Sequence, residues 1–241
     1  MLFLGRAVLI CISLVLVTAG WPRFLAGLGE LETGSVYRNN KQEIHVAGAI
    51  RDHALLSLGR SSDLNPTSSL YYAQSADLYL RKAMRLESKG EFGSARAEFD
   101  NSRLHAKEGL VRGPSDPYAW FVLAYTEQAI DGPSEAALTA LSTSFAISMT
   151  EGNLLVPRIS WCFGHWSILP ENLKKQAKGQ IQLALRNNNI RRSLAQYAAS
   201  LPPVSQDSFL KIVEDVGSAE PDNLPKFRYW LRVSMSSRNA R

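Results

Sequence analysis

The chain has 241 residues, 45% of them hydrophobic and 20% charged, which allows one sizeable folded domain with a single core and makes a globular protein the default. A net charge of +5 and a pI near 9.3, with acids and bases mixed along most of the chain and no interleaved basic and aromatic motif, argue against nucleic acid as a partner. Two distant cysteines, Cys11 and Cys162, and no Cys/His cluster at ligand spacing exclude a disulfide framework and a zinc or redox site, so no cofactor or metal is expected.

The chain opens on an uncharged run, Ala7 to Gly20, bounded by Arg6 and the amino terminus on one side and Trp21-Pro22-Arg23 on the other. It reads as a membrane-targeting segment. Its 14 residues would make a helix of about 21 Å, short of the ~30 Å hydrocarbon core unless Met1 to Leu4 and Trp21 to Ala26 contribute. Two readings stay open for residues 1–27: an uncleaved anchor with Trp21 at the interface, and a signal peptide with Val17-Thr18-Ala19 before its cleavage site. Both export the rest of the chain, which in a bacterium means the periplasm.

Residues 28–41 mix Gly, Glu, Asn and Arg without period and read as a tether. From Ile44 the positions Ala47, Ala49, Ile50, Ala54, Leu55 and Leu58 predict a helix ending at Gly59, where glycine supplies the left-handed position after a helix. Pro66 marks the next helix start, and Leu70, Ala73, Asp77, Leu80 and Met84 continue toward a stretch that repeats. These two helices would form an extra, degenerate hairpin.

Between Tyr79 and Ala146 a spacing recurs. Tyr79, Ala83 and Leu86 share one helical face, Gly90-Glu91-Phe92 breaks the run, and Ala95, Phe99 and Ser102 share the next. A second copy has Trp120, Leu123, Ala124 and Glu127, the break Asp131-Gly132-Pro133, then Ala137, Leu141 and Ser144. The offset is 41 residues from Tyr79 to Trp120 and 42 from both Ala95 to Ala137 and Ser102 to Ser144. Small residues such as Ala83, Ala95, Ala124 and Ala137 let helices approach, and the large residues three or four places away fill the groove beside them. Neither hairpin can bury its apolar face alone, so the copies should stack.

These residues resemble the tetratricopeptide repeat, a helical hairpin of about 34 residues. The first copy matches from Gly90 as Gly-x-Phe-x-x-Ala-x-x-x-Phe, and the second in its first helix as Trp120-x-x-Leu123-Ala124. The linker Arg112 to Pro117 stretches the period, and Leu141 stands where the family has an aromatic residue. The resemblance covers about residues 76–148, inside a stretch of helical hairpins read over 42–148; it implies a partner-binding scaffold and supplies no catalytic residues.

Residues 149–241 read as a helical extension of the same domain without the repeat. Leu154, Leu155, Ile159, Cys162, Trp166 and Leu169 form one face ended by Pro170, with Pro157 near the first turn. The next helix carries Leu173, Ala177, Ile181, Ala184 and Leu185 and stops at Asn187-Asn188-Asn189. Short helices come next over Ile190 to Leu201 and Asp207 to Val216, separated by Pro202-Pro203. The last stripe is Leu224, Phe227, Leu231 and Met235, flanked by Lys226, Arg228 and Arg232. No run alternates long enough to be a strand, so the fold expected is all-α: an N-terminal membrane or signal segment and then a tetratricopeptide-like helical solenoid.

The search for catalytic chemistry yields little. Ser208-x-x-Lys211 with Ser62-Asp63 lacks the rest of the penicillin-binding motif set. Glu87-Ser88 resembles the start of the lytic transglycosylase motif but sits at a polar turn, where nothing raises a carboxyl pKa. His45, His53, His105 and His165 have no ligand-set spacing. Trp161, Phe163 and Trp166 are read as core, with a sugar platform as the alternative. The reading that results is a non-enzymatic scaffold tethered to the cytoplasmic membrane through Ala7 to Trp21. It would bind other envelope proteins on the periplasmic side, with surface polysaccharide synthesis or export implied by analogy. The alternatives are an envelope enzyme acting on polysaccharide and a single-helix subunit of a larger membrane complex.

Overall fold

The computed structural model describes residues 48–239 together with Leu25 and Ala26. Every regular element among them is helical, in the order α1 (Gly48–Leu64), α2 (Ser69–Ser88), α3 (Phe92–Arg112), α4 (Pro117–Asp131), α5 (Glu135–Ile147), α6 (Gly152–Gly164), α7 (Glu171–Arg186), α8 (Asn188–Ser200), α9 (Pro203–Gly217) and α10 (Leu224–Asn239). The all-α expectation therefore holds for the described residues. None of these helices is long and apolar enough to cross a membrane, and the run Ala7 to Gly20, the tether and the helix start at Ile44 lie outside the described residues. The chain forms two compact units, residues 1–137 and 138–241.

In the first unit, α2 and α3 form an antiparallel hairpin. Gly113 abuts Ser69, Gly109 faces Tyr72, the Ser102 hydroxyl donates to Ala76 O at 2.7 Å, and Lys82 pairs with Glu98 at 2.7 Å. Those pairings fall in opposite chain order along the two helices. The turn between them uses Gly90 at φ 80, a left-handed backbone that a side chain would strain. A Cβ on Gly113 would lie 2.7 Å from the Ser69 Cβ and one on Gly109 3.2 Å from the Tyr72 Cβ, so glycine eases the close approach at the far end of the hairpin. Helix α1 packs on α2 through Ala54, Leu58, Tyr71 and Leu78, a small core to which buried Ala26 also belongs.

Helix α4 begins where the sequence sets two start signals together. Asp116 accepts hydrogen bonds from the backbone N–H groups of Tyr118 and Ala119, and Pro117 occupies the first helical position, where a missing N–H costs nothing. Its end is marked by Gly132 at φ 75. Helix α4 runs antiparallel to α3, since Lys107 pairs with Glu127 while Arg96, nearer the start of α3, reaches Asp131.

In the second unit, α6, α7, α8, α9 and α10 surround a core of Ile159, Ile181, Leu185, Leu194, Phe209, Phe227 and Leu231. Asn187 separates α7 from α8 by capping the latter, its side chain accepting from Asn189 and Ile190 N–H. The turn before α10 is tied down by charge. Glu220 accepts from Arg186 at 2.7 Å and Gln182 at 3.0 Å, and Arg191 donates to Leu185 O at 2.7 Å and Asn223 Oδ1 at 3.0 Å.

Several expected boundaries are corrected. Helix α1 passes through Gly59 and ends at Leu64, because a glycine permits a left-handed turn without requiring one and the obligatory break is Pro66. Leu70 to Met84 is not a separate helix: it is the first part of α2, continuous with Tyr79 to Leu86, so the extra hairpin reduces to α1 alone. Helix α6 stops at Gly164, leaving Leu169 buried in the loop after it, and Pro157 lies inside the helix just past its first turn. Asn187 to Asn189 do not interrupt the helical run for three residues, and α9 starts at Pro203, ahead of Asp207.

Candidate functional site

The residues expected to pack the repeat fall on helices α2 to α5. Ala83 on α2 and Ala95 and Phe99 on α3 are buried, and the two helices meet along that face. Burying a Phe side chain such as Phe99 is worth about 1.5–3 kcal/mol, while the alanines set the interaxial distance. Leu123 and Ala124 are buried on α4, and Trp120 is half-buried with its indole N–H donating to Pro114 O at 2.8 Å. Ala137 and Leu141 on α5 are fully buried.

Tyr79 is half-buried and does something its spacing did not reveal. Its ring stacks on His105 of α3 at 5.1 Å between centroids, the Tyr72 ring lies 6.2 Å from the same imidazole, and the Arg112 guanidinium sits 4.2 Å above the Tyr72 ring. The His105 Nδ1 is buried with no hydrogen-bond partner among the described residues, and burial holds the imidazole below its ordinary pKa against a smaller opposing pull from Glu108. Burial also raises the Tyr79 hydroxyl pKa, with Glu98 adding to the shift. The spacing of Tyr72 and Tyr79, seven residues apart and so two helical turns, was the available signal.

Helix α4 lies against both α2 and α3. On the α3 side the ties are ionic: Lys107 to Glu127 at 2.7 Å, Arg103 to Glu127 at 3.5 Å and to Asp131 at 3.3 Å. On the α2 side, buried Asp77 accepts from the Tyr118 hydroxyl and from Arg81 Nε at 2.8 Å. The i,i+4 pair Asp77/Arg81 is readable from sequence, whereas the partner 41 residues on is not. Near these groups Arg51 of α1 is buried, its pKa lowered first by burial and then by Arg85.

In the second unit the largest fully buried side chain is that of Arg158 on α6. It donates to Ser144 O, Ser144 Oγ and Ser148 O, all at the end of α5, and its guanidinium lies 5.2 Å from the Phe145 ring centroid. Burial lowers it to about 10, which leaves it a cation at neutral pH, placed where a helix C-terminus favours one. Cys162, one turn later, is pushed up to about 12 by burial and is a thiol, not a nucleophile, at neutral pH.

The aromatic group of α6 is divided by the fold. Trp161 is buried and tilts against His165 at 4.5 Å, and Phe163, partly buried, packs edge-on to Phe209 of the core at 4.9 Å. Phe163, His165 and Trp166 are each half-exposed, and the His165 ring is held by Nδ1 at 2.9 Å from Trp161 O. The Ser208 hydroxyl is spent on Val204 O of its own helix at 3.0 Å, Ser62 on Gly59 O at 2.7 Å, and Glu87 is exposed. His53 is exposed, His45 lies outside the described residues, and no three His, Cys, Asp or Glu side chains among the described residues are placed to hold a metal.

Among the described residues the arrangement provides a small-residue helical seam, ion-paired between successive helices. No family model, curated protein or solved structure matches the chain.

Proposed function

We propose that this protein is a non-enzymatic scaffold of the cell envelope, tethered to the cytoplasmic membrane by Ala7 to Trp21, whose residues 42–148 supply tetratricopeptide-like helical hairpins that hold other envelope proteins on the periplasmic side. The observation that carries this reading is the placement of α4 against both helices of the α2/α3 hairpin, the geometry by which successive hairpins add to a stack. Buried Ala83, Ala95 and Ala124 fit the same packing logic. Helix α3 also leaves Leu104 58% and Val111 81% exposed, seven residues apart on one edge, a surface suited to a protein partner. A role in surface polysaccharide assembly is the analogy-based extension of this reading.

Two measurements test it. A reporter enzyme that works only after export, fused beyond Arg241, should be active, and activity of a cytoplasmic reporter instead would remove the topology. A photoreactive residue at 104 or 111 in cells should cross-link the same envelope protein from both positions. Absence of adducts at both, together with turnover of envelope polysaccharide by the purified chain, would replace the scaffold with an enzyme.

A further inference from the structure

Helix α10 has two working edges. The inner one is occupied: Phe227 and Leu231 are buried in the second unit's core, and Arg238 Nη1 donates to Ala199 O at 2.8 Å. The outer one is not covered. Pro225, Tyr229 and Val233 recur every fourth residue along it, with Tyr229 54% and Val233 38% exposed. Exposed Lys226 and Arg232 flank the strip, and neither is ion-paired among the described residues. Arg228, by contrast, is bound to Glu214 at 2.8 Å. Beside the strip, Trp230 meets Tyr229 edge-on at 5.3 Å, and Arg192 of α8 stands 4.8 Å over the indole. No acidic residue occurs after Asp222 in the sequence.

We infer that this outer edge of α10 rests on an anionic lipid leaflet, with Tyr229 and Val233 at headgroup depth and Lys226, Arg232 and Arg192 against lipid phosphates. The inference rests on the membrane-tethered reading above, which brings the chain to a bilayer. Charge sets the choice of occupant. Three apolar residues are too few to hold a neutral bilayer, but each basic residue near an anionic surface strengthens binding about fivefold, so three supply about a hundredfold. An apolar centre between cations fits the boundary between headgroups and acyl chains, where Tyr and Trp concentrate, and it has no counterpart on a nucleic-acid backbone.

The test uses the full chain with Cys11→Ser and Val233→Cys, a polarity-sensitive fluorophore on residue 233, and lipid carrying a headgroup nitroxide as quencher. Cys162 is buried and does not compete for label. Vesicles are phosphatidylcholine alone or mixed with phosphatidylglycerol, and a label at Leu104→Cys serves as control. The expected result is quenching at 233 in mixed vesicles only, abolished by high salt and weakened about thirtyfold or more in lipid dependence by Lys226→Glu with Arg232→Glu. A label at 233 that stays unquenched on mixed vesicles carrying the chain overturns the inference and leaves the tether standing. Equal quenching on neutral vesicles overturns the anionic requirement. Flotation with mixed vesicles alone, with residue 233 quenched, keeps the α10 surface and removes the tether. Flotation with neither removes both.

Discussion

The buried guanidinium of Arg158 grips Ser144 three times, with Nη2 2.6 Å from its carbonyl oxygen and 2.8 Å from its hydroxyl, and Nε 3.2 Å from the same hydroxyl. A further bond reaches Ser148 O at 2.7 Å, so one side chain caps the C-terminal end of α5, where Ser144 O also accepts from the Ser148 backbone N–H at 3.5 Å. The groups it meets are neutral, and the favourable field at a helix C-terminus offsets part of the cost of burying the charge.

Arg158→Met should therefore lower stability by about 3 kcal/mol, since it keeps the volume but removes every hydrogen bond the guanidinium makes to Ser144 and Ser148. Arg158→Lys should recover part of that loss, because one ammonium can reach fewer acceptors than the planar fork. Chemical denaturation of the detergent-solubilised chain, followed by circular dichroism, measures both. Equal midpoints for wild type and Arg158→Met would show that the bonds contribute nothing.

Ala95 faces α2 with no room to spare. Ala95→Trp inserts a large ring into a seam set by alanine and should cost at least about 3 kcal/mol, the upper part of the usual overpacking range. The thermal midpoint should fall accordingly, while Ala97→Trp, on the exposed edge of the same helix, should leave it almost unchanged. Equal melting of the Ala95 variant and wild type would show that α2 and α3 do not pack as described.

The contrast between Ala95 and Gly59 shows what the sequence could reveal. At Ala95 the information is local and redundant: Ala95, Phe99, Ser102 and Ala106 keep one helical face, and a turn glycine precedes them, so period and punctuation agree. At Gly59 a single permissive residue suggests a stop, although the neighbouring Leu58 and Ser61 keep a buried helical face beyond it. Among side-chain contacts, Asp77 with Arg81 was legible because four residues separate them, whereas Tyr118 and Arg158 act on partners set by tertiary packing. His105 carried no sequence signal at all. Its environment comes from two tyrosines on another helix, and only their two-turn spacing is visible beforehand.

That environment makes acid sensitivity testable. His105 is flanked by Tyr72 and Tyr79 of α2, with Arg112 over Tyr72, Glu108 on its own helix, and the Lys82–Glu98 pair next to Tyr79. Its folded pKa lies below the unfolded value of about 6.5, so the unfolded chain takes up the proton first. Its contribution to stability is full above about pH 6.5 and is lost as pH falls from there through the folded value. His105→Phe should flatten the decline between about pH 7 and about pH 5, read as the denaturation midpoint against pH. An identical slope in wild type and variant would remove His105 as the source.

Cys162 offers a check on burial by reactivity. With its thiol pushed up to about 12, it should resist alkylation at neutral pH in the native chain and react at once in denaturant. Mass spectrometry of the modified peptide reads this directly. Rapid modification under native conditions would mean that α6 opens far more readily than its packing implies.

The C-terminal helix allows the most demanding test, because its edges are assigned opposite tasks. Phe227 and Leu231 close the core against Leu194, Phe209 and Val213, while Tyr229 and Val233 point away from it. The turn before the helix is anchored as well: hydrogen bonding to Arg186 holds the Glu220 carboxyl down to about 2, so this tie persists through ordinary acidic conditions. Deleting Leu224 to Arg241 removes two buried side chains worth about 1.5–3 kcal/mol each and exposes what they covered, so the second unit should lose about 3–6 kcal/mol. Phe227→Ala alone should cost about 3–5 kcal/mol, and Tyr229→Ser less than about 0.5. Denaturation midpoints of the three variants decide the matter. If the truncated chain unfolds where the intact one does, α10 is an appendage and not a cap, and if Tyr229→Ser proves as damaging as Phe227→Ala, the two edges have been assigned the wrong way round.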